Sequence, residues 1–117
     1  MKKREKMLRE THRITIVETG KGFLVRPACL AVSPGDTVHF RNLTRLGGRV
    51  VFPYAGVLDP SPTDGCYPIP SGGRVDVNVM DRGGRGAFPY GVLLEEAGEY
   101  PKRLFASGES APHLIIE

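Results

Sequence analysis

The chain has 117 residues, of which 40% are hydrophobic and 25% are charged, as is usual for a globular domain. No apolar run approaches the roughly 20 residues that span a bilayer, which excludes a transmembrane helix. The net charge is +3, but four positive charges lie within the first six residues. The sequence therefore predicts no strong basic face for nucleic acid.

We expect a charged amino-terminal arm over residues 1–10 and a single domain over residues 11–117. The arm begins with basic residues, as a signal peptide does, but no apolar stretch follows them. The expected location is therefore the cytoplasm, and the alternative is a periplasmic or exported protein whose signal peptide has been removed. The arm is expected to be a short amphipathic helix or to be disordered.

Alternating apolar residues predict β-strands from the start of the domain. Residues 12–18 predict a strand with Ile14 and Ile16 inward, followed by a glycine-containing turn at residues 20–22 and a hairpin partner. Pro27 interrupts that partner, which indicates an edge or a switch between sheets.

The next strand follows a turn at residues 33–36, where proline and glycine occupy the two central positions. In this strand Val38 and Phe40 are predicted to point inward, while His39 and Arg41 point outward.

The remaining pattern also consists of short strands and turns. Strands are predicted at residues 50–52, 75–79, 90–94 and 114–116, whereas residues 53–72 predict a long irregular loop rich in proline. Three Gly-Gly-Arg triplets are interpreted as turns before strands. Eight or nine strands at this spacing predict an all-β, antiparallel, two-sheet sandwich.

Two cysteines, Cys29 and Cys66, match no metal or redox spacing motif. They allow one disulfide or two free thiols, and we favour two inert thiols.

Two segments resemble the framework of the cupredoxins, the plastocyanin-like family of Greek-key sandwiches. One is Gly-Asp-Thr-Val-His-Phe-Arg-Asn at residues 35–42, and the other is Gly-Glu-Tyr at residues 98–100. The resemblance covers roughly residues 23–49 and 91–117. It implies a cupredoxin-like Greek-key β-sandwich of about eight strands in two sheets.

The copper ligands of that family are missing at the matching positions. The first histidine position holds Gly48, the cysteine position holds Leu104, and the second histidine position holds Ser107. The axial methionine would fall between Ser110 and Pro112. A type 1 copper site needs two imidazoles and a thiolate. The resemblance therefore implies a cupredoxin-like domain with no cofactor, and copper is the alternative.

A relocated metal site is the second possibility. His113, together with His39, His12 or Cys66, could supply its ligands if loops at one end of the sandwich converge. His39 and His12 are both predicted to face outward, and scattered histidines are the favoured interpretation.

Two other motifs give no support for catalysis or for RNA binding. A Gly-Glu-Ser-Ala-Pro run at residues 108–112 lacks the context of an esterase serine, and the arginine–glycine run at residues 82–86 is typical of a hairpin turn. We therefore expect no enzyme.

The favoured function is a non-catalytic binding or assembly module. Its contact surface would be the former metal end, formed by residues 45–49 and 105–112, with Arg45, Arg49 and Phe105 as the residues to test. The expected partner is another protein or a second copy joined through an exposed sheet edge.

Overall fold

The computed structural model describes residues 9–20, 22–95 and 111–117, together with the backbone of Glu96 and of Lys102–Phe105. The described residues form twelve β-strands and no α-helix. The strands are β1 Thr11–Thr19, β2 Gly22–Arg26, β3 Cys29–Val32, β4 Thr37–Asn42, β5 Gly47–Val51, β6 Leu58–Asp59, β7 Cys66–Ile69, β8 Arg74–Val79, β9 Gly86–Pro89, β10 Gly91–Glu96, β11 Lys102–Phe105 and β12 His113–Ile116.

The strands form two layers. The first layer is a five-stranded sheet in the order β2-β1-β4-β8-β6. The second layer contains two groups of hydrogen-bonded strands, in the orders β3-β12-β9 and β11-β10-β5-β7. The chain connects the two groups directly, because only Tyr90 separates β9 from β10. Phe40 of the first layer meets the Tyr90 ring edge-on, with ring centroids 5.7 Å apart. The predicted two-sheet sandwich is confirmed.

Two strand pairs are parallel, which the predicted antiparallel pairing did not include. β1 pairs with β4, and β3 pairs with β12, in parallel register. The reason is the interruption at Pro27: β2 belongs to the first layer, and β3 belongs to the second. When the chain returns to the first layer as β4, it runs beside β1 in the same direction. The predicted switch of sheets at Pro27 is confirmed.

The predicted irregular loop at residues 53–72 is wrong, because it contains β6 and β7. Pro68 lies within β7 and obscured the strand pattern there. In the described part of the chain β7 is an edge strand whose sheet neighbour is β5, so a residue without an N–H is tolerated. Tyr67 is buried in β7 and donates a hydrogen bond to the carbonyl oxygen of Pro60 at 2.6 Å.

The core follows the predicted alternation. Ile14, Ile16, Val38 and Phe40 are all completely buried, as expected for the inward positions of β1 and β4. Three polar side chains in the described residues are also buried, namely Asp36, Asn42 and Thr44. Buried polar groups need hydrogen-bond partners, so these residues mark the places where side-chain hydrogen bonds stabilise the fold.

Several smaller predictions have different outcomes. Cys29 is exposed, Cys66 is half-buried, and both are free thiols. The first Gly-Gly-Arg triplet lies inside β5 instead of in a turn, whereas the other two precede β8 and β9. Residues 1–8 of the predicted arm lie outside the described residues. In the described part of the chain, no helix has the length and hydropathy to cross a bilayer.

Candidate functional site

Gly48 lies where three backbones pack closely. It pairs with Ile69 of β7 on one side and Leu94 of β10 on the other. A Cβ atom built on Gly48 would lie 2.2 Å from the carbonyl oxygen of Leu93 and 3.0 Å from the Cα atom of Leu94. Both atoms belong to the backbone and cannot rotate away. The position therefore accepts glycine alone unless β10 moves.

This packing tests whether a type 1 copper centre fits the chain, and it does not fit. A histidine at residue 48 has no space for its first side-chain atom. Leu104, whose backbone pairs with Leu94, carries no thiolate. Ser107 and Ser110 lie outside the described residues. Because the residues do not suit the trigonal nitrogen and sulfur set, we derive no copper chemistry here.

Asn42 closes the same end of the sandwich. Its side-chain amide donates to the carbonyl oxygens of Leu46 at 2.8 Å and Ile69 at 3.2 Å. Its oxygen accepts from the backbone N–H of Thr44 at 2.9 Å and from the Thr44 hydroxyl at 2.7 Å. Since both donor hydrogens are used and the side chain is completely buried, Asn42 fastens the 43–46 loop to β7.

Arg45 lies in the loop between β4 and β5, and Arg49 lies in β5 of the second layer. Arg45 donates to Glu18 of β1 at 3.0 Å, and Arg49 donates to Glu95 of β10 at 2.7 Å. Both arginines are exposed, so these ion pairs are screened by water and contribute little stability. The Phe105 side chain lies outside the described residues. Whether the three residues share one surface stays a prediction.

The histidines are dispersed over the described structure. His39 lies on the outer face of the first layer beside Asp76, in agreement with its predicted outward direction. His113 begins β12, in register with Cys29 and Pro89. Across the described residues, no three His, Cys, Asp or Glu side chains form a group that could hold a metal ion.

His12 differs from its prediction. Its side chain is only 16% exposed, and its Nε2 atom lies 2.9 Å from the Asp36 carboxylate. Residue 12 shares the inward face of β1 with Ile14 and Ile16, so its ring is directed toward the buried carboxylate. Asp36 also accepts the backbone N–H groups of Glu10 at 3.1 Å and Ser33 at 3.0 Å. Burial would raise the pKa of Asp36, but these hydrogen bonds, with His12 foremost, hold that pKa below its ordinary value.

A shallow groove of about 370 Å³ lies between residues 53–55 and 61–65. Its titratable side chains in the described structure are Tyr54 and Asp64. The Tyr54 hydroxyl is already used in a hydrogen bond to the carbonyl oxygen of Pro89. One exposed carboxylate with no base beside it does not form a general acid–base pair. The groove therefore adds no support for catalysis.

Sequence reasoning missed the roles of Asn42, Asp36 and His12. A signal was present for Asn42, because it follows Val38 and Phe40 on the inward face of the same strand. A polar residue at such a position must find partners inside the protein. The same alternation marks His12, which precedes Ile14 and Ile16 on the inward face of β1, although its partner Asp36 lies 24 residues away.

Comparisons with known proteins agree with the architecture. No family model matches the sequence. A copper(I) form of an amicyanin variant superposes with a TM-score of 0.56 and 14% identity, and the match covers 92% of this chain and 82% of that one. A second amicyanin variant, reduced and at pH 4, gives a TM-score of 0.55 and 15% identity over the same shares.

A pseudoazurin from Sinorhizobium gives a TM-score of 0.50 and 14% identity, with 92% of this chain and 74% of that chain covered. At these identities the likeness concerns the fold. The two-layer arrangement, the switch at Pro27 and the parallel β1–β4 pair lead to one conclusion: this chain has the cupredoxin fold.

Proposed function

We propose that this protein is a non-catalytic binding or assembly module on a cupredoxin fold, without a type 1 copper centre. The observation that supports it best is the backbone packing around Gly48, which leaves no space for a ligand side chain. The Asn42 hydrogen bonds support it further, because they close the same end with a fully used amide. The amicyanin variants are Cu(I) forms, and this chain shares their fold without the histidine and cysteine residue types at positions 48 and 104.

The partner that we propose is another protein or a second copy of the chain. β2 and β3 are edge strands, each paired on one side, and a free edge can add a strand from another chain. A cytoplasmic location is consistent with Cys29 and Cys66 being free thiols, since disulfides are rare in that compartment.

A metal titration tests the proposal. The protein is treated with a chelator, then given Cu(I), Cu(II) or Zn(II), and the bound metal and visible spectrum are measured after desalting. We expect a colourless protein that retains less than a stoichiometric amount of each metal. Stoichiometric copper with an intense thiolate-to-copper band would overturn the proposal and favour a relocated site.

Variants then locate any metal that is retained. His113→Ala, His39→Ala, His12→Ala, Cys66→Ser and Cys29→Ser remove the candidate ligands singly, and Asn78→Ala, which removes no imidazole or thiol, serves as the control. Light scattering on the same samples measures the oligomeric state. A dimer would support assembly through an edge, and a monomer would favour a different protein as the partner.

A further inference from the structure

The outer face of the first layer gathers arginines that are distant in sequence. Strand register places Arg26 of β2 beside Thr15 of β1, then Arg41 of β4, then Arg74 of β8, in one row across four strands. All three arginines are exposed. The next row adds Arg13 of β1, beside His39 and Asp76. We call the surface formed by Arg13, Arg26, Arg41 and Arg74 the arginine face.

Charges on this face are poorly balanced. Arg41 and Arg74 are directly opposite each other on antiparallel strands, where like charges are destabilising. Arg74 donates to Asp76 at 2.9 Å, but Asp76 also contacts His39. Asp59 of β6 is opposite Asn78, two rows away from Arg74. Arg41 has no acidic partner among the described residues, whereas Arg45 and Arg49 both have one. An anionic partner would remove this repulsion.

An apolar group adjoins the arginine row. Val17 of β1 is opposite Leu24 of β2 on the same outer face. The backbone N–H of Leu43 donates to the carbonyl oxygen of Ile16, which places Leu43 in the same row. Leu43 is 53% exposed and is the large exposed hydrophobic residue of the described structure. Apolar side chains beside arginines are typical of protein interfaces.

The composition of the face favours a protein over a nucleic acid. Sheet surfaces that bind single-stranded RNA or DNA stack bases on exposed aromatic rings. Among the described residues of this outer face the aromatic ring is the His39 imidazole, which is only 21% exposed and contacts Asp76, whereas Phe23 of β2 packs against the core. A phosphate backbone would also leave Leu43 and its apolar neighbours without a contact.

We propose that the arginine face, with the adjoining Val17, Leu24 and Leu43, docks a protein segment that combines carboxylates with apolar side chains. Carboxylates would lie between Arg41 and Arg74, where each guanidinium offers paired donors. An apolar side chain would cover Leu43. This inference rests on the proposed function, because it supplies the chemical class of the partner, and it places the surface on the outer face of the first layer, whereas Gly48 lies in β5 of the second layer.

The test uses a fluorescent peptide of alternating glutamate and leucine, with anisotropy measured at low and moderate salt. We expect binding that weakens as salt rises, since charge pairs at a surface are screened. Lysine–leucine and glutamate–serine peptides are the matched probes for charge and for apolar contact, and both should bind less well. Fluorescent oligouridine tests the nucleic-acid alternative.

Variants then connect binding to this surface. Arg41→Glu should weaken binding of the glutamate–leucine peptide about tenfold or more, and Leu43→Ser should weaken it about threefold. The larger effect is expected at Arg41 because arginine is enriched among the residues that dominate binding energy at interfaces. The matched control is Arg82→Glu with Arg85→Glu, two exposed arginines in the turn before β9, which should change binding less than about twofold. Thermal unfolding checks that each variant is folded.

The outcomes separate the two proposals. No binding of the glutamate–leucine peptide, equal binding by Arg41→Glu, or tighter binding of oligouridine would each overturn the docking inference. In any of these cases a negative metal titration would still support the binding module. A copper centre in the titration would overturn the proposed function, whatever the peptide does.

Discussion

Asp36 and Asn42 stand at the two ends of β4, and each is a buried polar side chain that fastens its end of the sandwich. Asp36 is an acceptor alone, and it collects donors from His12 and from two backbone N–H groups. Asn42 both donates and accepts, and its partners are neutral. One end is therefore sensitive to protonation and the other is not.

The difference also concerns function. The Asn42 end contains Gly48, the position that the resemblance to cupredoxins matches to a copper histidine, and here it combines a fully used amide with the packing of Gly48 against β10. The interior of this end is tightly packed and its buried hydrogen bonds join neutral groups. Among the described residues, unbalanced charge lies on the arginine face. Four predictions test this comparison.

The largest effect is expected at Gly48. Gly48→Ala should destabilise the protein by about 3 kcal/mol or more, because the new methyl group meets the backbone of Leu93 and Leu94. Gly47→Ala is the matched control, since its Cβ atom would find its nearest neighbour at 3.9 Å. Urea unfolding measures both. Equal losses at the two positions would show that the packing at Gly48 is not special.

Asn42→Ala should cost nearly as much, about 3 kcal/mol, because it leaves the buried backbone N–H of Thr44 without its acceptor and removes the side-chain donor to Ile69. The Leu46 carbonyl oxygen keeps the Thr44 hydroxyl at 3.0 Å. Asn78→Ala is the control. Asn78 accepts one exposed hydrogen bond from Thr37, so its loss should cost less than about 1 kcal/mol. If the two variants unfold at the same urea concentration, the Asn42 hydrogen bonds do not make the stabilising contribution that we assign to them.

The Asp36 end should respond to pH. Its carboxyl has a folded-state pKa below the ordinary value of 3.8, so its stabilisation is present above pH 3.8 and is lost as the pH falls through the lower folded value. Asp36→Asn should lose about 2 kcal/mol at neutral pH, and it should show a flatter fall in stability in that acidic range. Asn42→Ala should keep the slope of the original protein. A slope unchanged in Asp36→Asn would contradict the assignment.

The smallest effects concern two buried tyrosines. Among the described residues the Tyr90 hydroxyl has no partner, and burial, with a smaller contribution from Cys29, raises its pKa. Tyr90→Phe should stabilise the protein by up to about 1 kcal/mol, because an unpaired buried hydroxyl is unfavourable. Burial, together with the nearby charge of Asp59, raises the pKa of Tyr67 to about 12. Unlike Tyr90, Tyr67 has a partner, because its hydroxyl donates a hydrogen bond to the carbonyl oxygen of Pro60.

Tyr67→Phe should therefore destabilise by about 1 kcal/mol. The two opposite signs, measured by thermal unfolding, test the idea that partners decide whether a buried polar group stabilises. A destabilising Tyr90→Phe would point to an unseen partner for that hydroxyl.

Local patterns predicted much of the fold. The alternation in β1 and β4 identified Ile14, Ile16, Val38 and Phe40 as core, because successive side chains of a strand point to opposite faces. β6 and β7 were missed because prolines broke that alternation in the sequence without preventing an edge strand. The outward prediction for His12 was wrong because strand alternation places it on the same face as Ile14 and Ile16, where its ring meets Asp36 from another part of the chain.

The sequence by itself determined the alternating strands, the turn at Gly35 and the absence of ligand residue types at positions 48 and 104. These are local properties, set by side-chain chemistry and by which dihedral angles a residue tolerates. Only the tertiary structure decided that Gly48 is required by a neighbouring backbone and that Arg41 is opposite Arg74. Such contacts join strands far apart in the chain, so their distances and their net charge exist only once the sheets have formed.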